Sequence, residues 1–212
     1  MKFTIITPTI GRESLLKTCE SVDAQTFTDY EHLVIYDGHH PESESEQEVL
    51  EKVKRPGRKV IFTTLPRLGD YGHSLRYFAW DVAEKYLMYL DDDDYYDPEC
   101  LEILVKMMEP DKDFVFFPVM WHGNPCMFEP PRTGYTVSCQ YCHKKIGADG
   151  QPIRFRQGGF GTDGHWLDDM LRPAVGFPHS YQVIKPYKPL VYVDTMGSDR
   201  RPPSPSPDDS SV

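Results

Sequence analysis

Apolar positions in the first half of the chain follow two patterns, which are short continuous runs and longer stretches with helical spacing. The runs predict buried strands, and the stretches in which apolar residues recur every three or four positions predict amphipathic helices. The predicted strands span residues 3–7, 32–36, 59–63 and 86–90, and the predicted helices span residues 13–24, 49–53, 74–85 and 98–108. Strands and helices therefore alternate, which is typical of a doubly wound α/β fold with a mostly parallel sheet.

The parallel sheet determines where polar side chains at the strand ends meet. Right-handed crossovers bring the carboxyl ends of the strands to one edge, so we expect Thr7, Asp37 and Asp91 to lie along it. Open α/β sheets bind their ligands at such an edge. The sequence thus predicts a ligand site in the loops that follow the first, second and fourth strands.

The second half of the chain has a different pattern. We predict a strand at residues 114–119, short strands at 134–139 and 153–156 in a small antiparallel insert, a helix at 165–171 and a last strand at 187–193. Residues 198–212 are rich in proline and serine, which is typical of a disordered linker. We expect one domain over residues 1–197, with halves at 1–110 and 111–197, and further domains of a longer protein after the linker.

Composition and charge exclude several classes of protein. The chain has 212 residues, of which 39% are hydrophobic and 13% aromatic, enough for one well-buried domain. The formal net charge of −10 leaves no basic surplus for general nucleic-acid binding. No apolar run approaches the ~20 residues of a membrane span, and the chain starts in a strand pattern rather than a signal peptide. We therefore expect a cytoplasmic protein without a membrane span.

The five cysteines are an odd and scattered set, unlike a disulfide framework. Cys139, Cys142 and His143, with Cys126 upstream, are residue types that ligate zinc. A single CxxC pair is a weak indication of structural zinc, because the strong pattern has a second pair at suitable spacing. Ordinary reduced thiols are the other interpretation, and the sequence leaves both open.

Four consecutive aspartates, Asp91, Asp92, Asp93 and Asp94, follow the apolar run at residues 86–90. Carboxylates this close repel one another unless a cation or a set of donors neutralises them. Mg²⁺ and Mn²⁺ prefer carboxylate oxygens and commonly bind together with a phosphorylated substrate. The first strand is followed by neither a dinucleotide-binding GxGxxG turn nor a P-loop. The pattern therefore indicates phosphates held by a metal ion and side chains, with a solvated acidic turn as the alternative.

Four segments of the chain, in this order, resemble the GT-A glycosyltransferases, particularly the family 2 type. Residues 3–12 are similar to the opening strand and nucleotide loop of that family, and residues 33–38 to its second strand. Residues 72–76, Gly-His-Ser-Leu-Arg, resemble its glycine-to-arginine segment, although they lie slightly closer to the acids than is usual. Residues 90–99 fit its LDxDDxxxPE pattern residue for residue. The resemblance is close over residues 3–105 and looser over residues 155–172.

The resemblance implies a fold and a biological setting. The fold is a GT-A (Rossmann-like) α/β domain, with a nucleotide-sugar-binding half at residues 1–110 and an acceptor-side half at 111–197. Within the family, the chain is similar to the amino-terminal domains of larger chlorovirus-encoded enzymes that build capsid glycans. This narrower likeness implies a viral protein in the host cytoplasm.

The resemblance also implies how the first half binds a UDP-sugar. Asp93 is the first candidate ligand of Mn²⁺ or Mg²⁺. Asp91 is the second, or it binds the ribose or a metal-bound water, and Asp92 lies between them. The metal ion is a Lewis acid for the departing diphosphate. Asp37 accepts a hydrogen bond from the uracil N3–H, unless it only forms a strand-end turn, and Asp94 caps the following turn.

Further contacts with the donor are expected from the loop after the first strand and from two arginines. Thr7, Pro8 and Thr9 offer hydroxyl and backbone groups to the base and ribose. Arg12 and Arg76 are candidates for binding the base or the phosphates. A surface salt bridge is the alternative for each arginine.

For the acceptor half, the resemblance implies transfer with inversion, which requires a general base. Asp163, after the glycine-rich residues 158–161, matches the second member of the family's acidic pair, whose first member is Thr162 here. Asp168 and Asp169 are further candidates for the base, and a helix N-cap is the alternative role for Asp163.

Three aromatic side chains near or within this half have open roles. His165 is a candidate for phosphate or metal binding, although a lone histidine is more often structural. Trp166 or Trp121 can stack on the apolar face of a sugar, and a place in the core is the alternative for both.

The leading hypothesis is a metal-dependent glycosyltransferase that moves a hexose or deoxyhexose from a UDP-sugar to an oligosaccharide or glycoprotein-glycan acceptor. A sugar-phosphate nucleotidyltransferase shares the fold class and the metal, but its glycine- and arginine-rich opening loop is absent after the first strand. A non-catalytic, metal-dependent carbohydrate-binding module is the third interpretation, and it would need no general base.

Overall fold

The computed structural model describes residues 2–127, 131, 138–155, 162–172 and 179–193. Its strands are β1 (Phe3–Thr9), β2 (Tyr30–Tyr36), β3 (Arg58–Phe62), β4 (Tyr86–Tyr89), β5 (Tyr95–Tyr96), β6 (Phe114–Phe116), β7 (Val119–Trp121), β8 (Asn124–Cys126), β9 (Tyr141–Lys144), β10 (Tyr181–Val183) and β11 (Val191–Val193). Its α-helices are α1 (Leu15–Asp23), α2 (Glu44–Lys52), α3 (His73–Ala79), α4 (Cys100–Met107) and α5 (Thr162–Leu171), and Ser138–Gln140 forms a 3₁₀-helix. The predicted linker at residues 198–212 lies outside the described residues.

A seven-stranded sheet in the order β10-β6-β9-β4-β1-β2-β3 forms the centre of the described structure. Neighbouring strands are parallel except at β9, which runs antiparallel to both β4 and β6. Every residue of β1 is buried, as expected for a parallel strand covered on both faces. The predicted α/β fold with a mostly parallel sheet is confirmed.

β1, β2 and β4 end at the same edge of this sheet. Thr9 pairs with Tyr36 in the register of β1 and β2, and the N–H of Asp37 donates to the carbonyl of Thr9 at 2.8 Å. β1 therefore continues to Thr9 rather than ending at Thr7. On the other side of β1, the N–H of Leu90 donates to the carbonyl of Ile6 at 3.0 Å. The three loops that follow these strands consequently leave the sheet side by side.

The helix α2 begins within the acidic, serine-rich stretch at residues 39–48, which the sequence leaves open as a loop or a helix start, and continues into the predicted helical residues 49–53. The side chain of Ser43, whose backbone is extended, accepts a hydrogen bond from the N–H of Glu46 at 3.2 Å and caps the helix. Glu46 accepts in return from the N–H of Glu42 at 2.8 Å and from the hydroxyl of Tyr36. The acidic, serine-rich stretch is thus a capped helix start that is held to the end of β2.

The predicted strand at residues 114–119 is divided between two sheets. β6 belongs to the central sheet and β7 to a four-stranded sheet in the order β5-β11-β7-β8. Pro118, which has no N–H to donate to a ladder, lies between them. The insert is a mixed sheet rather than an antiparallel one, because β11 and β7 are parallel.

Several boundaries in the second half differ from the predicted ones. β9 and β10 were not predicted, and β9 occupies the CxxC segment, where Cys142 pairs with Met88 and Val115. Residues 138–139 are in the 3₁₀-helix, and residues 134–137 of the predicted strand lie outside the described residues. Residues 153–155 form no strand and follow an isolated bridge between Ile146 and Pro152. In the first half, α3 ends at Ala79 rather than at residue 85.

Apolar clusters cover both faces of the central sheet, because neighbouring residues of a strand point to opposite faces. Ile5 packs in the cluster that contains Leu101 and Leu104 of α4. Ile6 packs in the cluster that contains Leu75 of α3 and Trp166 of α5. Within the part of the chain that the structure describes, no helix has the length and apolar character needed to cross a membrane.

Candidate functional site

A cleft of about 340 Å³ opens at the edge where β1, β2 and β4 end. Its walls include the acid triplet (Asp91, Asp92 and Asp93) and part of the crossing segment (residues 68–76), which leads into α3. Of the residues predicted to bind the nucleotide sugar or the metal, all but Thr7 line the cleft, namely Pro8, Thr9, Arg12, Asp37, Arg76 and the acid triplet.

The acid triplet leaves β4 in a turn that is closed by a hydrogen bond from the N–H of Asp94 to the carbonyl of Asp91, at 3.1 Å. The side chain of Asp92 is 3% exposed, whereas those of Asp91 and Asp93 are 27% and 34% exposed. The turn therefore buries the middle carboxylate and leaves the outer two accessible. Asp94 is buried, and its carbonyl accepts from Thr18 Oγ1 at 2.7 Å, which ties the turn to α1.

Arg12 neutralises two members of the triplet. Its Nε lies 3.3 Å from Asp92 Oδ2, its Nη2 donates to Asp92 Oδ1, and its Nη1 lies 3.4 Å from Asp93 Oδ2. Thr9 Oγ1 also donates to Asp92 Oδ2, at 2.6 Å. Burial opposes the charge of Arg12, but its hydrogen bond with Asp92 and the nearby carboxylates outweigh burial and raise the pKa of the guanidinium.

Arg76 pairs with the remaining member of the triplet. Its side chain is 3% exposed, and its Nη2 donates to Asp91 Oδ1. Its Nη1 donates to the carbonyl of Tyr71 at 2.8 Å. Both predicted arginines are therefore ion-paired at the cleft. They supply part of the neutralisation that the adjacent carboxylates require.

Asp37 is buried at the end of β2 and is held by the crossing segment. Its Oδ1 accepts from the N–H of Leu68 at 2.8 Å and its Oδ2 from the N–H of Gly69 at 2.9 Å. A carboxylate has about four lone-pair positions, so each oxygen keeps capacity for a further donor. The two backbone contacts fix the direction of the carboxylate at one end of the cleft.

Thr7 and Pro8 have different surroundings although they are adjacent in β1. The hydroxyl of Thr7 lies 3.0 Å from Nε2 of the buried His32, and Thr7 is not among the residues that line the cleft. The Nδ1 of His32 accepts from Arg58 Nε at 2.9 Å. The side chain of Thr7 thus belongs to a buried polar network, and Pro8 and Thr9 are the β1 residues of the cleft wall.

The donor set at the acid triplet fits a hard divalent cation. Among the described residues, no group of three His, Cys, Asp or Glu side chains is arranged to hold a metal ion alone. Mg²⁺ is usually bound through one or two carboxylates together with substrate phosphates, so a complete protein shell is not required. Asp91 and Asp93 present accessible carboxylates for this purpose, whereas Asp92 is engaged by Arg12 and Thr9.

The candidates for the general base lie on α5, which starts at Thr162, so Asp163 is in its first turn. Asp168 is partly exposed and forms an i,i+4 ion pair with Arg172. Asp169 is exposed on the same helix, as is His165. Asp168 is therefore a member of a surface ion pair, and all three candidates for the base lie on one helix.

Trp166 is a core residue. It is 2% exposed, its ring centroid lies 4.9 Å from that of Phe155, and its Nε1 donates to the carbonyl of Arg154 at 2.7 Å. Trp166 therefore anchors α5 against the sheet, which agrees with a place in the core, the alternative to stacking on a sugar. Trp121 is half-buried in β7, and within the described part of the chain its Nε1 has no hydrogen-bond partner.

The cysteines of the CxxC segment are part of the core. Cys139 and Cys142 are both buried, and burial raises the pKa of each thiol. A zinc ligand must be a thiolate, which burial in apolar surroundings disfavours. The five cysteines are free thiols, and this arrangement favours the interpretation as ordinary reduced cysteines.

Residues 4–166 match the family model described as glycosyl transferase family 2. The chain belongs to this family. The match includes the strand ends, the crossing segment and the acid triplet, so the cleft lies wholly within the family 2 region. No curated protein matches the sequence.

Solved structures with the same fold include TarS 1–349 from S. aureus, with a TM-score of 0.70 and 20% identity over 91% of this chain. A complex of TarS 1–349 with UDP-GlcNAc has a TM-score of 0.69 and 18% identity, also over 91% of this chain. The mannosyltransferase PcManGT from Pyrobaculum calidifontis, in complex with GDP-Man and Mn²⁺, has a TM-score of 0.60 and 15% identity over 92% of this chain. The family 2 chain spans only 60% of TarS 1–349 and 58% of PcManGT.

One part of the family 2 cleft was not predicted as a binding element. Gly69 and Tyr71 of the crossing segment line the cleft, and the N–H groups of Leu68 and Gly69 position Asp37. The only indication in the sequence was the pair of glycines Gly69 and Gly72, which flank Asp70 and Tyr71. Glycines at this spacing indicate a tight backbone, but they do not reveal which side chain it presents.

Proposed function

We propose that this chain is the donor-binding and catalytic domain of a metal-dependent glycosyltransferase. It transfers a hexose or deoxyhexose from a UDP-sugar to an oligosaccharide or glycoprotein glycan, with inversion. The observation that carries the proposal is the placement of Asp37 after β2 and of the acid triplet after β4, at opposite ends of one cleft. β1 lies between these strands, so the two ends are separated by about two strand spacings, or roughly 10 Å. A nucleoside diphosphate is elongated and matches such a cleft. Its base would contact Asp37 at one end (the base end), and its phosphates would lie near the charged groups at the other end (the phosphate end).

The base end favours uridine. Asp37 is an oriented acceptor, and uracil offers a donor at N3 where cytosine offers an acceptor. A buried acceptor that loses its donor costs about 1–3 kcal/mol, so cytidine nucleotides are disfavoured at this position. The ribose contacts are assigned to Thr9 and to the backbone around Pro8.

The phosphate end requires positive charge beyond what the protein supplies. The three carboxylates of the triplet are paired with two guanidinium groups, those of Arg12 and Arg76, so one negative charge is in excess before any phosphate binds. Asp91 and Asp93 are the residues that would hold Mn²⁺ or Mg²⁺. When bound, such an ion acts as a Lewis acid that stabilises the departing diphosphate.

The chain's own groups have separate tasks in the transfer. Arg12 and Arg76 orient the carboxylates and can donate to phosphate oxygens from their remaining N–H groups. The carboxylate of Asp163, with Asp168 and Asp169 as alternatives, accepts the proton of the attacking acceptor hydroxyl. The hydroxyl oxygen attacks the anomeric carbon opposite the leaving diphosphate, which inverts that centre.

The relatives support a nucleotide-sugar donor without identifying the sugar. TarS 1–349 has been solved with UDP and with UDP-GlcNAc, and PcManGT with GDP-Man and Mn²⁺. A uridine donor and a divalent ion are therefore both within the range of chains with this fold. Capsid glycans as acceptor, a viral source and a host-cytoplasm location rest on the sequence resemblance alone, and the comparisons do not bear on them.

A donor screen tests the proposal and separates it from the alternatives. The chain is incubated with UDP-, GDP- and CDP-sugars, with Mn²⁺, Mg²⁺ or EDTA, and the release of nucleoside diphosphate is measured with and without glycan acceptors. We expect metal-dependent release of UDP that is lost in Asp93→Ala and kept in Asp111→Ala, an exposed acid outside the cleft. Binding of UDP-sugars without release of UDP under any condition would identify a non-catalytic module. Formation of a nucleotide sugar from a nucleoside triphosphate and a sugar phosphate would identify a nucleotidyltransferase.

A further inference from the structure

The crossing segment is attached both to the end of β2 and to β1. At its beginning, the N–H groups of Leu68 and Gly69 donate to the carboxylate of Asp37, at 2.8 Å and 2.9 Å. In its middle, Gly72 has a φ of +77°, and a Cβ at this position would lie 2.5 Å from the Cβ of Pro8. Only glycine allows this close approach of the backbone. The beginning of the segment is therefore the part that determines the direction of the Asp37 carboxylate.

Arg67 immediately precedes the two N–H groups that bind Asp37, and its guanidinium contacts four acceptors. Its Nη2 donates to the hydroxyl of Tyr36 at 2.5 Å and to Glu46 Oε2 at 3.2 Å. Its Nη1 lies 3.1 Å from Glu42 Oε2, and its Nε donates to the carbonyl of Asp37 at 3.4 Å. One side chain thus connects the backbone of Asp37, the end of β2 and the start of α2.

The acceptors around Arg67 are themselves held in place. Tyr36 is buried in β2, and its hydroxyl donates to Glu46 Oε2 at 2.5 Å. The N–H of Glu42 donates to the same oxygen at 2.8 Å. Burial opposes the charge of Glu46, but the hydrogen bonds from Tyr36, from the N–H of Glu42 and from Arg67 outweigh burial and lower the pKa of the carboxyl. Arg67 is consequently fixed by an ionised partner on a capped helix start.

Neither contact with the ligand nor a simple surface ion pair explains these contacts of Arg67. Asp37 lines the cleft, whereas Arg67 is not among the lining residues. A surface ion pair would account for the contact with Glu42, whose side chain is 54% exposed. It would not account for the hydrogen bonds to the Tyr36 hydroxyl and to the Asp37 carbonyl. Both of these acceptors belong to the chain that leads into the carboxylate.

We propose that Arg67 is a positioning residue that fixes the Asp37 carboxylate at the base end and thereby sets how strongly the cleft prefers uridine to cytidine. The inference rests on the proposed function, in which Asp37 accepts from the uracil N3–H. Cytosine offers an acceptor at N3, so it is rejected only while the carboxylate cannot turn away. A hydrogen bond also weakens steeply when its angle is poor, so a mobile carboxylate would bind uracil less well. Both effects make the preference depend on how firmly the loop is held.

The experiment measures the ratio of UDP to CDP affinity by calorimetric titration in Mn²⁺, below the unfolding temperature of each variant. Arg67→Ala removes all four contacts, and Arg67→Lys keeps the charge without the planar fork that reaches several acceptors at once. Asp37→Asn is the reference for complete loss of the preference, because an amide offers both a donor and an acceptor. Arg55→Ala is the matched control, because Arg55 also pairs with a carboxylate, that of Asp23, but lies before β3 and outside the cleft.

We expect the wild type to prefer UDP by roughly 5- to 150-fold, the factor that corresponds to one unpaired buried acceptor. Arg67→Ala should lower this ratio by roughly 2- to 12-fold, the net effect of about one hydrogen bond. The fall should come from weaker binding of UDP, while the affinity for CDP stays equal or rises, because the mobile carboxylate no longer faces the cytosine acceptor. Arg67→Lys should lie between Arg67→Ala and the wild type, and Arg55→Ala should keep the wild-type ratio.

The outcomes separate this inference from the proposed function. If Asp37→Asn loses the preference for UDP and Arg67→Ala keeps it, the positioning role is wrong and the proposed function stands. Equal losses of UDP and CDP affinity in Arg67→Ala, or a lower ratio in Arg55→Ala, would overturn the inference by indicating a general structural effect. A wild-type ratio in Arg67→Lys would overturn it by showing that charge alone suffices. If the wild type binds both nucleotides equally well, the inference fails together with the choice of uridine, and if it binds neither, the proposed function fails as well.

Discussion

The guanidinium of Arg12 and the carboxylate of Asp92 form a two-point ion pair at the floor of the cleft, in which Arg12 Nε lies 3.3 Å from Asp92 Oδ2. Asp92 is 3% exposed, so it depends on this partner for its charge to be tolerated. The pair divides the acid triplet into one structural carboxylate and two accessible ones, Asp91 and Asp93. Arg12 is therefore a support of the site as well as a candidate for ligand binding.

We predict that Arg12→Ala lowers the free energy of unfolding by about 1–3 kcal/mol, because it leaves a buried carboxylate without its charged donor. Urea denaturation of the ligand-free chain measures this loss. Lys106→Ala is the control, because it removes a surface ion pair with Glu102 and should change stability little. Equal, small effects of the two substitutions would show that Asp92 does not need Arg12.

The contact of Gly72 with Pro8 leads to a second prediction. Gly72→Ala introduces both a strained φ and an overlap with Pro8, and overlaps in packed regions typically cost about 1–3 kcal/mol. Gly57→Ala is a matched control, because Gly57 has a φ of +86° and a Cβ there would meet nothing within 4 Å. The difference between the two losses of unfolding free energy isolates the overlap. Nucleotide affinity should fall only in Gly72→Ala, and a loss in both variants would contradict the role of the crossing segment.

Two buried histidines predict how stability depends on pH. Burial lowers the pKa of His32 well below its ordinary value and the pKa of His143 to about 4. The unfolded chain therefore binds protons that the folded chain does not, so stability falls as the pH drops below about 6.5. For His143 the loss continues down to about pH 4, with a slope of up to about 1.4 kcal/mol per pH unit.

Substitution by glutamine removes the titratable imidazole and keeps a hydrogen-bond donor and an acceptor at each of these two positions. Unfolding free energies of His32→Gln and His143→Gln between pH 7 and pH 5 should depend less on pH than that of the wild type. The exposed His39→Gln should keep the wild-type dependence. Identical slopes in all four proteins would contradict the assignment of acid sensitivity to the buried histidines.

Sequence patterns predicted the parts of the site that local chemistry determines. The acid triplet was evident because a buried apolar run ends abruptly in charge at residue 91, and Asp37 follows a strand in the same way. The pairing of Arg12 with Asp92 was not evident from the sequence, because the two residues are 80 positions apart and only the strand order brings them together. β9 was missed because its four residues carry a CxxC pattern that resembles a metal site more than a strand. Tyr71 was missed because positive φ is a property of the folded backbone.

The general base remains a prediction, and α5 offers a direct comparison. Asp163→Asn should reduce turnover by about 10²–10⁴-fold, the usual contribution of general-base assistance, while the affinity for UDP is retained. Asp168→Asn, which breaks the ion pair with Arg172, and Asp169→Asn should keep most of their turnover. A collapse in one of these two and not in Asp163→Asn would move the base along the helix. Normal turnover in all three would exclude a base from this segment.

The central claim is that the cleft binds a uridine diphosphate together with a divalent ion. Calorimetric titration with UDP, in Mn²⁺ and in EDTA, tests it most directly. We predict that UDP binds more tightly in Mn²⁺ than in EDTA, that Asp93→Ala abolishes this difference, and that CDP and GDP bind more weakly than UDP. Equal affinity for UDP in Mn²⁺ and in EDTA, or an Asp93→Ala variant that binds like the wild type, would contradict the account.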